Sequence, residues 1–470
     1  MCNYKYLFPF EKIPPKCKIV IYGGGEVGWE YIRQLVITNY ADIVGVVDRR
    51  ADDMERLPVK IFSPEQLEQI DFDYIVLAFK SRTYFEKVSS DLKKRGIDET
   101  RIVYVPQRIE PDYEISMEYD RLNHEKTIYA YEMDCVSVAI KIGSAIGDNI
   151  IQKKFIAALA KLNPSLKIDI YSPIANSFLP WMYSDLQNIN VFIQDAGSLY
   201  AQNYSKYDLS LNIWVMISID YINEIKLKNE YVDFYHKIKV IENKIIETDM
   251  NYHMPMYNFY ARAIKQGKNA YTVYNFDGVM DIQDQRVHIS LDDSFLQNFK
   301  KLGLPLKYVT INYGNRVAMQ ASQTVAKQWP LECFEDFARS FSKEFSDIKI
   351  VQLGAEDACF LKNVDEYVIG KPLELVAHVL KNSLLHIDIE GGLVHLATQL
   401  GTKCVVLFGP TQELYFGYKQ NINIKAGTCH DCYGMYLDYT KCARHMDRPE
   451  CMYNITPKMV LEKVKEYFGR

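Results

Sequence analysis

Short apolar runs alternate with amphipathic stretches along most of the chain, and glycines or other turn residues close many of them. The first run, CKIVIY (17–22), meets Gly23-Gly24-Gly25 and leads into a helical pattern through Leu35. DIVGVVD (42–48), a weaker strand at VKIF (59–62), a helical SPEQLEQI (63–70), DYIVLAF (73–79), a helix near 83–94 and RIVYV (101–105) follow. Strands separated by helix-length segments predict a small parallel sheet covered on both faces. Residues 107–134 are polar without a clear period and read as a linker with one helix around 113–124.

The same rhythm returns twice. CVSVAIKI (135–142) runs into a glycine loop and a helix; KIDIYS (167–172), VFIQDA (191–196) and one longer apolar strand, YDLSLNIWVMI (207–217), follow, and 222–265 is mostly helical and charged. A third unit opens with LKYVTINYG (306–314). Its helix WPLECFEDFARSFSKEF (329–345) has Pro330 at its first turn, where a missing N–H costs nothing. IKIVQLG, PLELVAHVLKNS, LLHIDI, GGLVHLATQLG and KCVVLFGP complete the unit. The pattern predicts an α/β chain of three Rossmann-like units: 1–106, the linker 107–134, then 135–304 and 305–470.

Four turns carry candidate chemistry. Gly23-Gly24-Gly25-Glu26-Val27-Gly28 fits G-x-G-x-x-G between a strand and a helix, and Asp48 ends the next strand, 20 residues past Gly28. Gly23, Gly25 and Gly28 suit a backbone approaching a pyrophosphate, and Asp48 suits a ribose diol; the alternative is a tight turn that only packs helix on strand. Gly143-Ser144-Ala145-Ile146-Gly147-Asp148-Asn149 places Asp148 at a helix start, as an N-cap, a catalytic carboxylate or both. Lys327 precedes a helix, after the Tyr313-Gly314-Asn315 loop, where it can join backbone N–H groups on a phosphate. Glu390-Gly391-Gly392 opens another helix, whose first turn carries His395, and Gly409 makes a further turn at a strand end.

In chain order, the G-D-N loop, K-Q-W-P-x-E, Q-L-G, acid-x-G-x-x-H-L-A and F-G-P-T resemble the bacterial heptosyltransferases, glycosyltransferase family 9, from about Val136 to the C-terminus. The resemblance implies the GT-B architecture, two Rossmann-like domains facing across a cleft, here preceded by an additional Rossmann-like α/β domain. It implies inverting transfer of a heptose from ADP-heptose. Asp148 matches the general base and Lys327 the phosphate-binding lysine. Gly391, Gly392 and His395 match the donor-phosphate loop and helix, with Gly314, Glu390 and Gly409 beside them. Glu390-Gly391-Gly392 stands where the family usually has Asp-Ser/Thr-Gly, so one hydroxyl donor to phosphate is missing.

Of ten cysteines, six are scattered (Cys2, Cys17, Cys135, Cys333, Cys359, Cys404) and four cluster as Cys429, Cys432, Cys442 and Cys451. In a chain without a recognisable secretion signal, C-x2-C-x9-C-x8-C reads as a tetrahedral Zn or Fe site before disulfides. Such a finger is similar to that of the protein heptosyltransferases that modify autotransporter adhesins. This resemblance implies a structural metal and a Ser/Thr hydroxyl of a protein as acceptor, with a lipopolysaccharide core as the alternative.

The net charge of −5 argues against nucleic acid as a partner, and no apolar run is long enough to span a membrane. The expectation is a cytoplasmic bacterial enzyme, open to homo-oligomerisation. The 35 tyrosines are expected mainly to fill half-buried surface. Two other classes remain open: a nucleotide-sensing or glycan-binding protein with a decayed transferase site, motivated by Glu390-Gly391-Gly392, and an NAD-dependent oxidoreductase built on the first unit.

Overall fold

The computed structural model describes residues 6–104 except 50, 52–58 and 80–81; 135–314 except 196, 215 and 249–255; and 326–469 except 357 and 436–441. The expected linker at 107–134 and its helix lie outside the described residues. The chain divides into two compact units, Met1–Glu125 and Lys126–Arg470.

The first unit is a five-stranded sheet, ordered β3-β2-β1-β4-β5 and parallel throughout. Its strands are β1 (Lys18–Tyr22), β2 (Asp42–Val47), β3 (Ile61–Phe62), β4 (Tyr74–Leu77) and β5 (Ile102–Tyr104). Alternate residues of β1 enter two separate apolar clusters, Ile19 and Ile21 in one and Val20 in the other, so both faces are covered. Helix α1 (Glu26–Thr38) follows β1, and α2 (Arg82–Lys94) follows β4.

The second unit holds two sheets. One is ordered β10-β9-β6-β7-β8, from β6 (Val136–Ile142), β7 (Leu166–Ser172), β8 (Ile189–Gln194), β9 (Leu209–Ile213) and β10 (Ile217–Ile222). Helix α3 (Ile146–Leu162) follows β6. The other is parallel and ordered β13-β12-β11-β14-β15-β16. Its strands are β11 (Tyr308–Asn312), β12 (Lys349–Gly354), β13 (Glu366–Ile369), β14 (His386–Ile389), β15 (Cys404–Leu407) and β16 (Ile422–Ile424). Helix α4 (Leu331–Glu344) precedes β12, α5 (Leu373–Lys381) precedes β14, α6 (Gly392–Gln399) follows β14, and α7 (Pro457–Phe468) ends the chain. One continuous core joins residues of both sheets, with Ile150 and Phe155 of α3 and Val394 and Leu396 of α6 among its members.

Three local expectations change. The apolar run 207–217 is not one strand: β9 and β10 are antiparallel, and the chain reverses between them with the Trp214 N–H donating to the Met216 carbonyl. Both strands contribute buried residues, so apolarity alone could not reveal the turn. SPEQLEQI forms a 3-10 segment, Pro64–Gln69, held at its start by reciprocal Ser63 and Gln66 bonds. Pro330 sits at the N-cap of α4 with extended backbone rather than inside its first turn.

The side chains of Phe334, Phe337, Ala338 and Phe341 share one buried face of α4 at helical spacing. Trp329, fully buried just before that helix, packs edge-on against Phe334 and donates its indole N–H to the Ile455 carbonyl at 2.7 Å. It therefore ties the start of α4 to the segment leading into α7, whose N-cap is Thr456. Trp329→Ala is expected to cost about 3–5 kcal/mol. Trp329→Phe keeps the ring but strands a buried carbonyl, costing about 1–3 kcal/mol. Urea unfolding of both variants checks this order.

Candidate functional site

In each sheet of the second unit a central strand has neighbours reached by crossovers in opposite directions. β6 lies between β9 and β7, and β11 lies between β14 and β12. Such switch points leave a crevice at the carboxyl ends of the strands. The Asp148 loop leaves β6 at one of them. The Gly314 loop and Glu390-Gly391-Gly392 leave β11 and β14 at the other.

The two crevices meet through the N-termini of α3 and α6. A Cβ on Gly147 would stand 2.8 Å from His395 Cδ2, and one on Gly392 would stand 2.8 Å from Ile146 Cβ and 3.2 Å from the Gly147 nitrogen. No side chain fits at either position, so the two glycines allow the close approach. Both helix ends carry partial positive charge and free N–H groups, which together favour an anion. Asn149 fixes the first loop by donating to the carbonyls of Gly143 (3.1 Å) and Ala145 (2.8 Å).

Ala145, not Asp148, is the N-cap of α3, so Asp148 is the third residue of the helix. Its half-buried carboxyl faces the opposite crevice. Burial pushes its pKa above the usual range, His395 and Lys327 pull it back, and Glu390 adds to the rise. The capping role considered for Asp148 is thus taken by another residue.

Lys327 and Glu390 form an ion pair at the site, Nζ to Oε2 at 2.6 Å, with Glu390 almost fully buried. Burial pushes the Glu390 carboxyl up, but Lys327 and His395 outweigh it and hold the group down to about 2. For Lys327, burial lowers the pKa and Glu390, with Tyr433, more than compensates. Both groups are therefore charged at neutral pH. The Tyr433 ring lies 5.2 Å from the ammonium.

His395 bridges Glu390 and a buried polar chain. Its Nε2 lies 3.3 Å from Glu390 Oε1, where the ionised carboxylate accepts, and its Nδ1 lies 2.6 Å from the Tyr418 hydroxyl. Tyr418 pairs with the Tyr271 hydroxyl at 2.5 Å, and Gln399 donates to Tyr418 at 3.3 Å and to the Gln285 carbonyl at 2.9 Å. Tyr271, Tyr418 and Tyr433 belong to no motif, and Tyr418 lies 23 residues past His395, so only the fold joins them.

The remaining expected residues lie as follows. Gly391 is the N-cap of α6. At Gly314 a Cβ would meet Gln328 Oε1 at 2.4 Å, so this glycine makes room for the Gln328 amide. Gly409 faces Met452 and Cys451, and the Asp431 N–H donates to its carbonyl, which places it against the cysteine segment. Gly23, Gly25, Gly28 and Asp48 form a separate group in the first unit, where Asp48 Oδ2 accepts the Gly24 N–H at 2.8 Å.

Cys429, Cys432, Cys442 and Cys451 all line one cavity of about 340 Å³. The Cys451 thiol is pushed up to about 12 by burial, with the other three cysteines adding. His430 turns to Asp431, which also holds Lys425. Four sulfur donors around one space fit a tetrahedral, thiophilic ion. Among the described residues, no three His, Cys, Asp or Glu side chains already stand in an arrangement that would hold one.

Residues 15–103 match the family described as C2185-like, N-terminal. No curated protein matches the chain. Among solved structures it is similar to the glycosyl transferase family 9 from Veillonella parvula, at 16% identity over 71% of this chain and 98% of that one, with a TM-score of 0.47. It is similar to the E. coli ADP-heptose lps heptosyltransferase II at 14% identity over 70% and 98%, TM-score 0.43. It is also similar to the iron-containing dodecameric glycosyltransferase TibC from enterotoxigenic E. coli at 14% identity over 72% and 78%, TM-score 0.44. No described helix is long and apolar enough to cross a membrane. Likenesses this distant leave the chemistry to be read from the site itself.

Because the folded-state pKa of Glu390 is depressed, its contribution to stability is complete above its ordinary value of 4.5 and fades as the pH falls toward about 2. Glu390→Gln leaves a largely buried ammonium unpaired and should cost on the order of 3–5 kcal/mol at pH 7. It should also remove the part of acid destabilisation that falls between those two pH values. Denaturant unfolding of the wild type and the variant from pH 2 to 7 checks both effects.

Proposed function

We propose that the second unit is an inverting glycosyltransferase that takes a sugar from a nucleoside-diphosphate donor. The observation that carries this reading is the pairing across one crevice of a carboxylate with a raised pKa, Asp148, and a cationic, N–H-rich pocket formed by Lys327 and the start of α6. Residues 135–304 would supply the acceptor side and 305–470 the donor side.

In the proposed reaction the acceptor hydroxyl attacks the anomeric carbon from the face opposite the leaving diphosphate, and Asp148 Oδ accepts its proton. The raised pKa suits that task, because such a carboxylate holds an accepted proton better than an exposed aspartate does. The C1–O bond to the diphosphate breaks as the new C1–O bond forms, which inverts the centre. Negative charge then grows on the diphosphate, where Lys327 and the N–H groups following Gly391 stabilise it. Lys327 must shift its attention from Glu390 to the phosphate. His395, held between Glu390 and Tyr418, keeps that carboxylate in place during the exchange.

The motif order favours ADP-heptose as donor. The cysteine segment favours a Ser or Thr hydroxyl of a protein, such as an adhesin, as acceptor. A soluble nucleotide-sugar donor would be met in the bacterial cytoplasm, which supports that compartment for the reaction. Cys429, Cys432, Cys442 and Cys451 would hold one Zn or Fe ion, which when bound supplies ordering energy to a segment with little apolar periodicity.

Incubation with a panel of nucleotide sugars should release nucleoside diphosphate, most of all from ADP-heptose. Release from no donor would favour a binding protein instead. Asp148→Asn should fold as the wild type and lose about 10²–10⁴-fold in rate. In the wild type, kcat/KM should fall with decreasing pH through a pKa above the ordinary carboxylate range, and near-normal turnover by the variant would remove Asp148 from the chemistry. Elemental analysis should find about one Zn or Fe per chain, reduced by Cys432→Ser and unaffected by Cys333→Ser. A metal-free protein of full stability would contradict the assignment.

A further inference from the structure

The transferase reading leaves the glycine-rich turn of the first unit unused. β1 lies between β2 and β4, so the first sheet has its own switch point. A cavity of about 410 Å³ opens there, lined among others by Gly23, Gly25, Asp48, Arg49, Phe79 and Tyr84. That volume falls within the range of small-ligand sites.

The three motif glycines separate by cause. Gly23 has φ +112°, and a Cβ on it would stand 2.9 Å from the Ala78 carbonyl oxygen. A Cβ on Gly28 would stand 2.0 Å from the Gly23 carbonyl oxygen. Packing and backbone conformation demand both. Gly25 is different: it has φ −76°, and its Cβ would meet nothing within 4 Å. Neither the fold nor the backbone requires glycine there, and its bare face opens on the cavity. A ligand passing close to the backbone at the start of α1 accounts for it.

The walls define the ligand. Asp48, at the end of β2, stands where a ribose diol would be held, with Glu26 and Asp91 on the same lining. Asp48 at the ribose position disfavours a 2′-phosphate, while Arg49 and Lys87 on the same lining offset the other carboxylates toward a diphosphate. Arg49 lies 5.0 Å over the Tyr84 ring, a flat cationic and aromatic surface beside the ribose position. We propose that the first unit binds a ribonucleoside diphosphate ester with an unmodified 2′-hydroxyl, its diphosphate running past Gly25 and its ribose on Asp48. A dinucleotide such as NAD⁺ and a nucleotide sugar share this chemistry.

Isothermal titration of the full chain with NAD⁺, ADP-ribose and UDP-glucose in separate arms tests this and distinguishes the sources. Gly25→Glu fills open space with a carboxylate, so the variant should melt as the wild type does and lose binding by ~100-fold or more. Lys327→Ala should leave this binding unchanged. Of the dinucleotides, NADP⁺ should bind about tenfold more weakly than NAD⁺, and Asp48→Asn should narrow that gap. Binding in any arm that Gly25→Glu abolishes supports the site and names its ligand. No binding at millimolar concentration in all arms, or binding that survives in folded Gly25→Glu and persists when Lys327→Ala is added to remove the second unit's diphosphate contact, overturns it.

Discussion

The catalytic reading depends on one contact, the meeting of the N-termini of α3 and α6. Two positive helix ends brought within a few ångströms repel each other unless negative charge lies between or beside them. Gly147 and Gly392 make the approach sterically possible, and the ionised Glu390 supplies negative charge beside it. The same convergence leaves N–H groups in surplus, so a further anion is welcome. The close packing of these two helix starts thereby also suits an anion, with the Asp148 carboxyl beside it.

Lys327 moderates this balance. Held 2.6 Å from Glu390, it has a partner before any phosphate arrives. An aspartate in place of Glu390 would be one methylene shorter, and Gly391 offers no side-chain hydroxyl as a donor. The longer acid and the Tyr433 ring under the ammonium keep the lysine charged and placed despite its burial. The Tyr418–Tyr271–Gln399 chain behind His395 serves the same end, since a buried imidazole needs partners on both nitrogens to hold one orientation.

Much of this was legible in the sequence. Runs such as CKIVIY and KCVVLF become buried parallel strands because continuous apolarity suits a sheet covered on both faces. Asp148, Lys327 and Glu390 stood out because each adjoins a strand-to-helix turn, and the fold brings them together. What the sequence hid depends on contacts without a period. The reversal at Trp214 falls inside an unbroken apolar run. The capping of α3 by Ala145 goes against residue preference. Tyr418 and Tyr433 reach the site from loops that no spacing rule connects to it. Several tyrosines expected at half-buried surface are instead fully buried, with hydroxyls paired in the interior, as Tyr171 and Tyr207 are.

The most direct test of the central claim is a crystal structure of the protein soaked with ADP. The account predicts the diphosphate at the start of α6, within hydrogen-bond distance of N–H groups following Gly391, with Lys327 Nζ moved from Glu390 onto a phosphate oxygen and Asp148 open to the vacant sugar position. A diphosphate bound elsewhere in the second unit, with the Lys327–Glu390 pair intact, would contradict it.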